Sequence, residues 1–187
     1  MNWAKWCYCP RCGVSINRKG TESKGMVGTK YVCFSCGEVF YRNPTVGVAV
    51  IVLEGDRLLL VKRRGSYEGM WCIPCGHVEW GEDVRCAARR EFFEETGLHV
   101  QIGPVFDVQS NFHDPEHLTV GIWFWGQVEG GVLKAGSDAQ DVGFFPLEHL
   151  PEPMAFPTDR IICEKLRKYI SSNIGQWLCE MQKTEEQ

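Results

Sequence analysis

No stretch of this 187-residue chain approaches the ~18 consecutive apolar residues that a helix needs to cross a bilayer, so no helical membrane span is expected. The opening residues, MNWAKWCYCP, contain no apolar signal core, and a cytoplasmic location is the expectation. Strong charge of one sign is missing as well. The formal net charge is −4, so the chain as a whole lacks the electrostatic footprint of a nucleic-acid binder. Internal repeats are absent apart from two short cysteine knuckles. What remains is 44% hydrophobic and 24% charged, ordinary for a globular protein and long enough for one full core plus a small appendage.

The charge is unevenly placed. Residues 1–42 hold seven Lys or Arg against Glu22 and Glu38, a net of +5, which leaves −9 for the rest. The same segment holds Cys9-Pro-Arg-Cys12-Gly and Cys33-Phe-Ser-Cys36-Gly, two CxxC knuckles twenty residues apart. A reducing cytoplasm disfavours disulfides. Two CxxC pairs at this spacing instead predict one tetrahedral structural zinc held by Cys9, Cys12, Cys33 and Cys36. A segment this short cannot bury a core, so the metal would supply its folding free energy. Residues 1–42 are therefore expected to be a zinc ribbon, with 19–30 as its hairpin tip and Cys7 as an extra surface thiol. Cys72 and Cys75 repeat the CxxC spacing, but Pro74 and an extended context make them structural.

Asn43-Pro44 marks a turn and a boundary, and 43–187 reads as the main domain with a frayed tail at 181–187. VGVAVIVL (46–53) is a strand covered on both faces. Residues 54–57 turn, and 58–62 return as its hairpin partner. Residues 64–70 are a loop and 71–75 a short strand. Further strands are expected at 98–107 and 118–128. The loop between them carries Phe112, with His113 and His117 within reach of a phosphate. Residues 126–143 read as a polar, Gly-rich loop carrying Asp138 and Asp141, and Phe144 as the start of the last strand. Thr158-Asp159 opens a final helix.

The most informative stretch is 76–98, GHVEWGEDVRCAARREFFEETGL. Asp83 and Gly97 bracket a helix, an acid at its positive end and a glycine for a left-handed cap. Val84, Ala88 and Phe92 step by four and form an apolar face. Glu91, Glu94 and Glu95 share another face, with Arg90 the nearest cation. Such a face is either an acidic solvated surface or a site for a hard divalent cation.

The spacing favours the second reading. Gly76, five residues, Glu82, seven residues, then Arg90-Glu91-Phe92-Phe93-Glu94-Glu95-Thr96-Gly97-Leu98 resembles the complete Nudix box, GX5EX7REUXEEXGU with U bulky and apolar. The resemblance implies an α/β fold, a Nudix α/β/α sandwich with a mixed sheet. It also implies a loop–helix–loop that uses Mg²⁺ or Mn²⁺ to hydrolyse a nucleoside diphosphate joined to another moiety. On the same resemblance Glu91 and Glu95 ligate the catalytic metal, completed by Glu94 and the Cys75 carbonyl. Glu82 acts from behind, Arg90 holds the glutamates, and the general base is Glu91, Asp138 or Asp141. Phe112 or Trp80 would stack a purine.

The Cys₄ ribbon, YRNP and LEHLPEPMAF look like the zinc-ribbon Nudix hydrolases. Where the NADH pyrophosphatases carry SQPWPFP, this chain has Pro-Glu-Pro-Met-Ala-Phe-Pro (151–157). That departure points to ADP-ribose or FAD, with AMP released. NADH pyrophosphatase or RNA-cap and NAD-cap hydrolysis are the alternatives. A nucleotide sensor is opposed by the intact glutamates. An RNA-binding module is allowed by the basic ribbon, although a ribbon packed on an acidic surface in a homodimer would explain that charge equally well.

Overall fold

The computed structural model describes residues 8–15, 26–27, 30–41, 43–115, 117–136 and 138–183. Cys7, most of the expected hairpin tip at 19–30 and residues 184–187 of the tail lie outside them. In the N-terminal segment β1 (Met26–Val27), β2 (Lys30–Val32) and β3 (Val39–Tyr41) form an antiparallel sheet. Each knuckle turns at a glycine in the left-handed region, Gly13 at φ 70° and Gly37 at φ 76°. Their N–H groups donate to the carbonyls of Cys9 and Cys33. The four thiols meet: Cys9 Sγ lies 3.8 Å from Cys36 Sγ, and Cys12 Sγ lies 3.7 Å from Cys33 Sγ. A tetrahedral ion with bonds of about 2.3 Å sets its sulfurs about 3.8 Å apart, which these two pairs match, and all four sulfurs lie within 4.8 Å of one another, so the cluster could hold zinc. An Arg11–Glu38 ion pair ties one knuckle to the other.

The main domain begins with β4 (Thr45–Ile51), β5 (Leu53–Glu54), β6 (Arg57–Arg63), β7 (Trp71–Cys72) and β8 (Cys75–His77). Helix α1 (Val84–Thr96), β9 (Leu98–Asn111), β10 (Thr119–Gly131), β11 (Ala139–Pro146) and α2 (Pro157–Lys183) follow. One sheet has the order β8-β4-β10-β9 and is mixed, since β4 and β10 run parallel. The other, β11-β6-β5 with β7 beside β6, is antiparallel. The apolar run in β4 is covered on both faces as its sequence requires. Val48, Val50 and Val52 pack with Ala87, Ala88 and Phe92 of α1, while Ala49 and Ile51 pack with Ile162, Cys163 and Leu166 of α2. The result is an α/β/α sandwich. Among the described residues no helix is long and apolar enough to cross a membrane.

Three expectations need correction. The strand expected at 71–75 is two strands: Trp71 and Cys72 pair with β6, whereas residues 75–77 pair with β4. The chain changes sheets at Pro74, which has no N–H to give either ladder. The polar loop expected at 126–143 is mostly strand. Residues 126–131 continue β10 against β9, and Asp141 lies in β11 opposite Lys62, because the backbone ladder does not need apolar side chains there. Phe144 and Phe145 therefore lie near the end of the last strand rather than at its start.

Helix α2 is docked by Asp159. Its carboxyl is buried, and its Oδ2 accepts from the Ile73 N–H at 3.1 Å. Burial pushes it up to about 7, against the pull of the Ile73 N–H, the Trp123 indole and Arg63.

Two outcomes are expected. One zinc per chain should survive a chelator treatment that strips exchangeable Mg²⁺, as read by elemental analysis. A chain without zinc, or one that loses it with the magnesium, would contradict the ribbon. The second outcome concerns pH. Between about pH 4, where an unfolded Asp ionises, and about pH 7, folded Asp159 keeps a proton that the unfolded chain releases, so wild-type stability drains as pH rises. Asp159→Asn removes that titration, so its melting temperature should gain on wild type across this window. A difference that stays flat from acid to neutral pH refutes the assignment.

Candidate active site

Helix α1 carries the acids, and its ends are fixed locally. Asp83 is the N-cap, its Oδ1 accepting from the N–H groups of Arg85 and Cys86. Gly97 is the C-cap at φ 71°, its N–H donating to Phe93 O. The carbonyls left over at the C-terminal end are taken by residues 132–136. The N–H groups of Val132, Lys134 and Gly136 donate to the carbonyls of Gly97, Thr96 and Glu95. A Cβ on Gly136 would fall 1.6 Å from Glu94 O, so only glycine allows this approach. This segment delivers Asp138 beside the helix.

Arg90 organises the site. Its Nε and Nη2 grip both oxygens of Glu82 at 2.9 and 2.8 Å. Nη1 reaches Glu91 Oε1 at 2.9 Å and Glu94 Oε2 at 3.4 Å, and Nη2 also donates to His77 O at 3.1 Å. A two-point grip of this kind fixes orientation as well as charge. The Arg90 guanidinium, helped by the Glu79 N–H, holds Glu82 down to about 2.

Glu91 and Glu95 differ in kind. The Glu91 carboxylate lies against Gly76. A Cβ there would sit 1.9–2.3 Å from the carboxylate atoms, which is why the loop has glycine at this point. Glu95 is buried, and its Oε2 accepts from the Cys75 N–H at 2.8 Å. Burial pushes it up to about 8. The Cys75 N–H and Arg63 pull it back, while Glu91 and Asp138 push it further. Glu91, Glu94 and Glu95 thus do not form one tight cluster. Glu94 is half exposed on Arg90, and Glu95 is turned inward. A buried carboxylate facing the negative charges of Glu91 and Asp138 is a hard-oxygen donor set short of positive charge, which suits a divalent cation. Asp141 is exposed and accepts from its own strand at Val142 N, so Asp138 is the acid that bears on Glu95.

The Cys75 thiol is held well above its usual range by its hydrogen bond to Cys72 and by burial. Both sulfurs lie 3.8 Å from Arg63 Nη1. The Cys75 backbone is what faces the acids.

A cavity of about 440 Å³ opens from Cys75, Gly76 and His77 across the face of β4 and β10. Its aromatic wall is Tyr67 and Phe156, 5.2 Å apart edge to face, with the Arg63 guanidinium 5.3 Å from the Phe156 ring. His113 joins this wall through Tyr67 Oη at 2.7 Å, and His117 also lines the cavity. Trp80 and Phe112, the sequence candidates for stacking, do not line it. Trp80 is fully exposed and Phe112 mostly so. The sequence offered one overlooked signal: Tyr67 sits between Gly65 and Gly69, a pattern that permits unusual backbone. Tyr67 is the one described non-glycine residue with positive φ, at 59°.

The comparisons with known proteins agree with this geometry. The NUDIX domain profile matches residues 43–165. An ADP-ribose pyrophosphatase from Methanocaldococcus jannaschii is 39% identical over 129 residues, covering 68% of this chain and 76% of that protein. The NAD-capped RNA hydrolase NudC of Chromobacterium violaceum is 29% identical over 141 residues, 72% of this chain and 52% of that protein, so the chain spans about half of it. A NUDIX hydrolase crystal structure from Nitrosomonas europaea superposes with a TM-score of 0.73 at 25% identity, covering 91% of this chain and 94% of that one. The chain belongs to the NUDIX hydrolases.

Proposed function

We propose that the protein hydrolyses the diphosphate bond of an adenosine diphosphate derivative, with ADP-ribose or FAD preferred and AMP released. The observation that carries the reaction is the buried Glu95 carboxyl, set on the Cys75 N–H and pressed by Glu91 and Asp138. Glu91, Glu95 and the Cys75 carbonyl would hold Mg²⁺ or Mn²⁺, with Glu94 at the rim. Bound there, the ion supplies positive charge to the diphosphate oxygens and polarises the attacking water. The chain does the rest. Glu82 and Arg90 keep Glu91 aimed at the Gly76 side of the site. The Cys75 N–H fixes the Glu95 rotamer. Asp138 is the favoured group to take the proton from water, ahead of the strand-bound Asp141.

The substrate preference rests on the likeness to the M. jannaschii ADP-ribose pyrophosphatase and on charge. Carboxylates at the mouth disfavour a triphosphate tail more than a diphosphate bridge. NAD-linked substrates are the second reading. They draw on the NudC likeness and on Phe156-Pro157, which this chain shares with the end of the SQPWPFP signature.

Two substitutions test the site. Glu95→Gln should cut kcat by orders of magnitude while the melting temperature holds or rises, because a buried carboxyl whose ionisation is opposed by burial gives way to a neutral group of the same shape. Gly76→Ala should also cut kcat, by displacing the Glu91 carboxylate rather than by unfolding the chain. Near-wild-type turnover in either variant would sink the assignment. A panel of ADP-ribose, FAD, NADH, diadenosine polyphosphates and nucleoside triphosphates, with Mg²⁺ and with Mn²⁺, tests the substrate. ADP-ribose or FAD should lead in kcat/KM, and nucleoside triphosphates leading would overturn the ranking.

A further inference from the structure

The cavity ends on two buried polar groups that the chemistry of the box does not use. One is the Asp159 carboxyl, 2% exposed. A carboxyl has acceptor capacity for several donors, and the Ile73 N–H fills only part of it. The other is the Trp123 indole, 5% exposed. Its Nε1–H has no hydrogen-bond partner of good geometry; its one contact is a loose one with the Asp159 carboxyl, which it favours in the ionised form. Both residues line the cavity. A buried donor left unpaired is costly, and native chains keep such groups where a water or a ligand satisfies them.

The walls fit the same occupant. Tyr67 and Phe156 give an apolar aromatic flank. The Tyr67 backbone is held in the left-handed region, and its hydroxyl is fixed by His113. Strain of this kind persists where the surroundings hold a residue in place against a ligand. A ribose phosphate would leave these walls wet, while a planar heterocycle would cover them.

We propose that this cavity binds the adenine of the substrate. Asp159 accepts from the 6-amino group, Trp123 Nε1–H donates to the neighbouring ring nitrogen, and Tyr67 and Phe156 flank the ring. The proposal rests on the adenosine diphosphate reading above and assigns Asp159 and Trp123 as its specificity-determining residues. A purine without the 6-amino group offers Asp159 nothing, and a 1-deaza purine offers Trp123 nothing.

The test is equilibrium binding in EDTA, where no turnover is needed, so a failure of the hydrolysis reading leaves it intact. The probes are AMP, purine riboside 5′-monophosphate, 1-deaza-AMP and ribose 5-phosphate, titrated into the whole protein by calorimetry. For wild type at about pH 8, where Asp159 is ionised, loss of the 6-amino group should weaken binding ~10-fold or more, as for a hydrogen bond to a charged group. In Asp159→Asn the AMP and purine riboside 5′-monophosphate affinities should converge to within ~2-fold, the signature of a direct coupling. Trp123→Phe should do the same for AMP and 1-deaza-AMP. Equal wild-type affinity for AMP and purine riboside 5′-monophosphate overturns the proposal without any variant. So does a ratio unchanged by Asp159→Asn, ribose 5-phosphate binding as tightly as AMP, or no saturable AMP binding at millimolar concentration.

Discussion

The Glu91 carboxylate occupies the space where any side chain at position 76 would place its Cβ. This close approach fixes the distance between α1 and β8, and much of the site follows from it. It brings a carboxylate onto backbone rather than into water. It also sets Glu91 near Glu95, whose carboxyl is already buried. Each of these acids raises the cost of ionising the other. Arg90 offsets part of that by gathering Glu82, Glu91 and Glu94 onto one guanidinium. Glu95 lies outside its reach and is held instead by one amide and by Arg63 at a distance. Glu95 is therefore the acid whose ionisation the protein supports least, and a cation would supply that support.

The two metal centres proposed for the chain are built on different physics. In the ribbon the ligands come from two turns, shaped among the described residues by the glycines at 13 and 37, the Arg11–Glu38 ion pair and a few ladder bonds. In the main domain the acids stand on a capped helix whose Ala87, Ala88 and Phe92 are buried in a sheet. Metal binding in the first is folding free energy, and in the second it is free energy available for chemistry. On that contrast, loss of zinc should unfold the ribbon, whereas loss of the catalytic ion should cost turnover alone.

Much of this was legible in the sequence, and the physical reason is locality. The caps of α1, the apolar run at 46–53 and the turns after each knuckle all depend on neighbours a few residues away. Fixed spacing did the same for Glu82, Arg90 and Glu91. The cavity was not legible, because its walls come from separate loops. Tyr67 and Phe156 meet only when residues 153–155 lie along Trp71, through bonds from Trp71 N to Pro153 O and from Ala155 N to Trp71 O. Asp159 read as a helix-opening acid, yet its partner is the Ile73 N–H, 86 positions away. Trp80 and Phe112 looked available for stacking because they flank the right motifs, but composition carries no direction, and both side chains point to solvent. Residues 132–136 looked like plain loop, since their work, closing the last carbonyls of α1, is done by backbone alone.

Both ends of the cavity are tied to one stretch, residues 71–77. Trp71 bonds the segment that leads to Phe156. The Ile73 N–H holds Asp159, and two residues on the Cys75 N–H holds Glu95. Gly76 then makes room for Glu91. Two buried acids, each pushed toward neutrality by burial, are thus hung from amides on either side of Pro74. Proline's fixed φ suits that place, because the distance between the two amides sets the distance between the floor of the cavity and the acids of the box. A shift of this stretch would move both ends together. On the proposed function, binding at the far end would hold the diphosphate in register with Glu91 and Glu95, which is how free energy from a non-reacting part of a substrate comes to lower the barrier at the reacting bond.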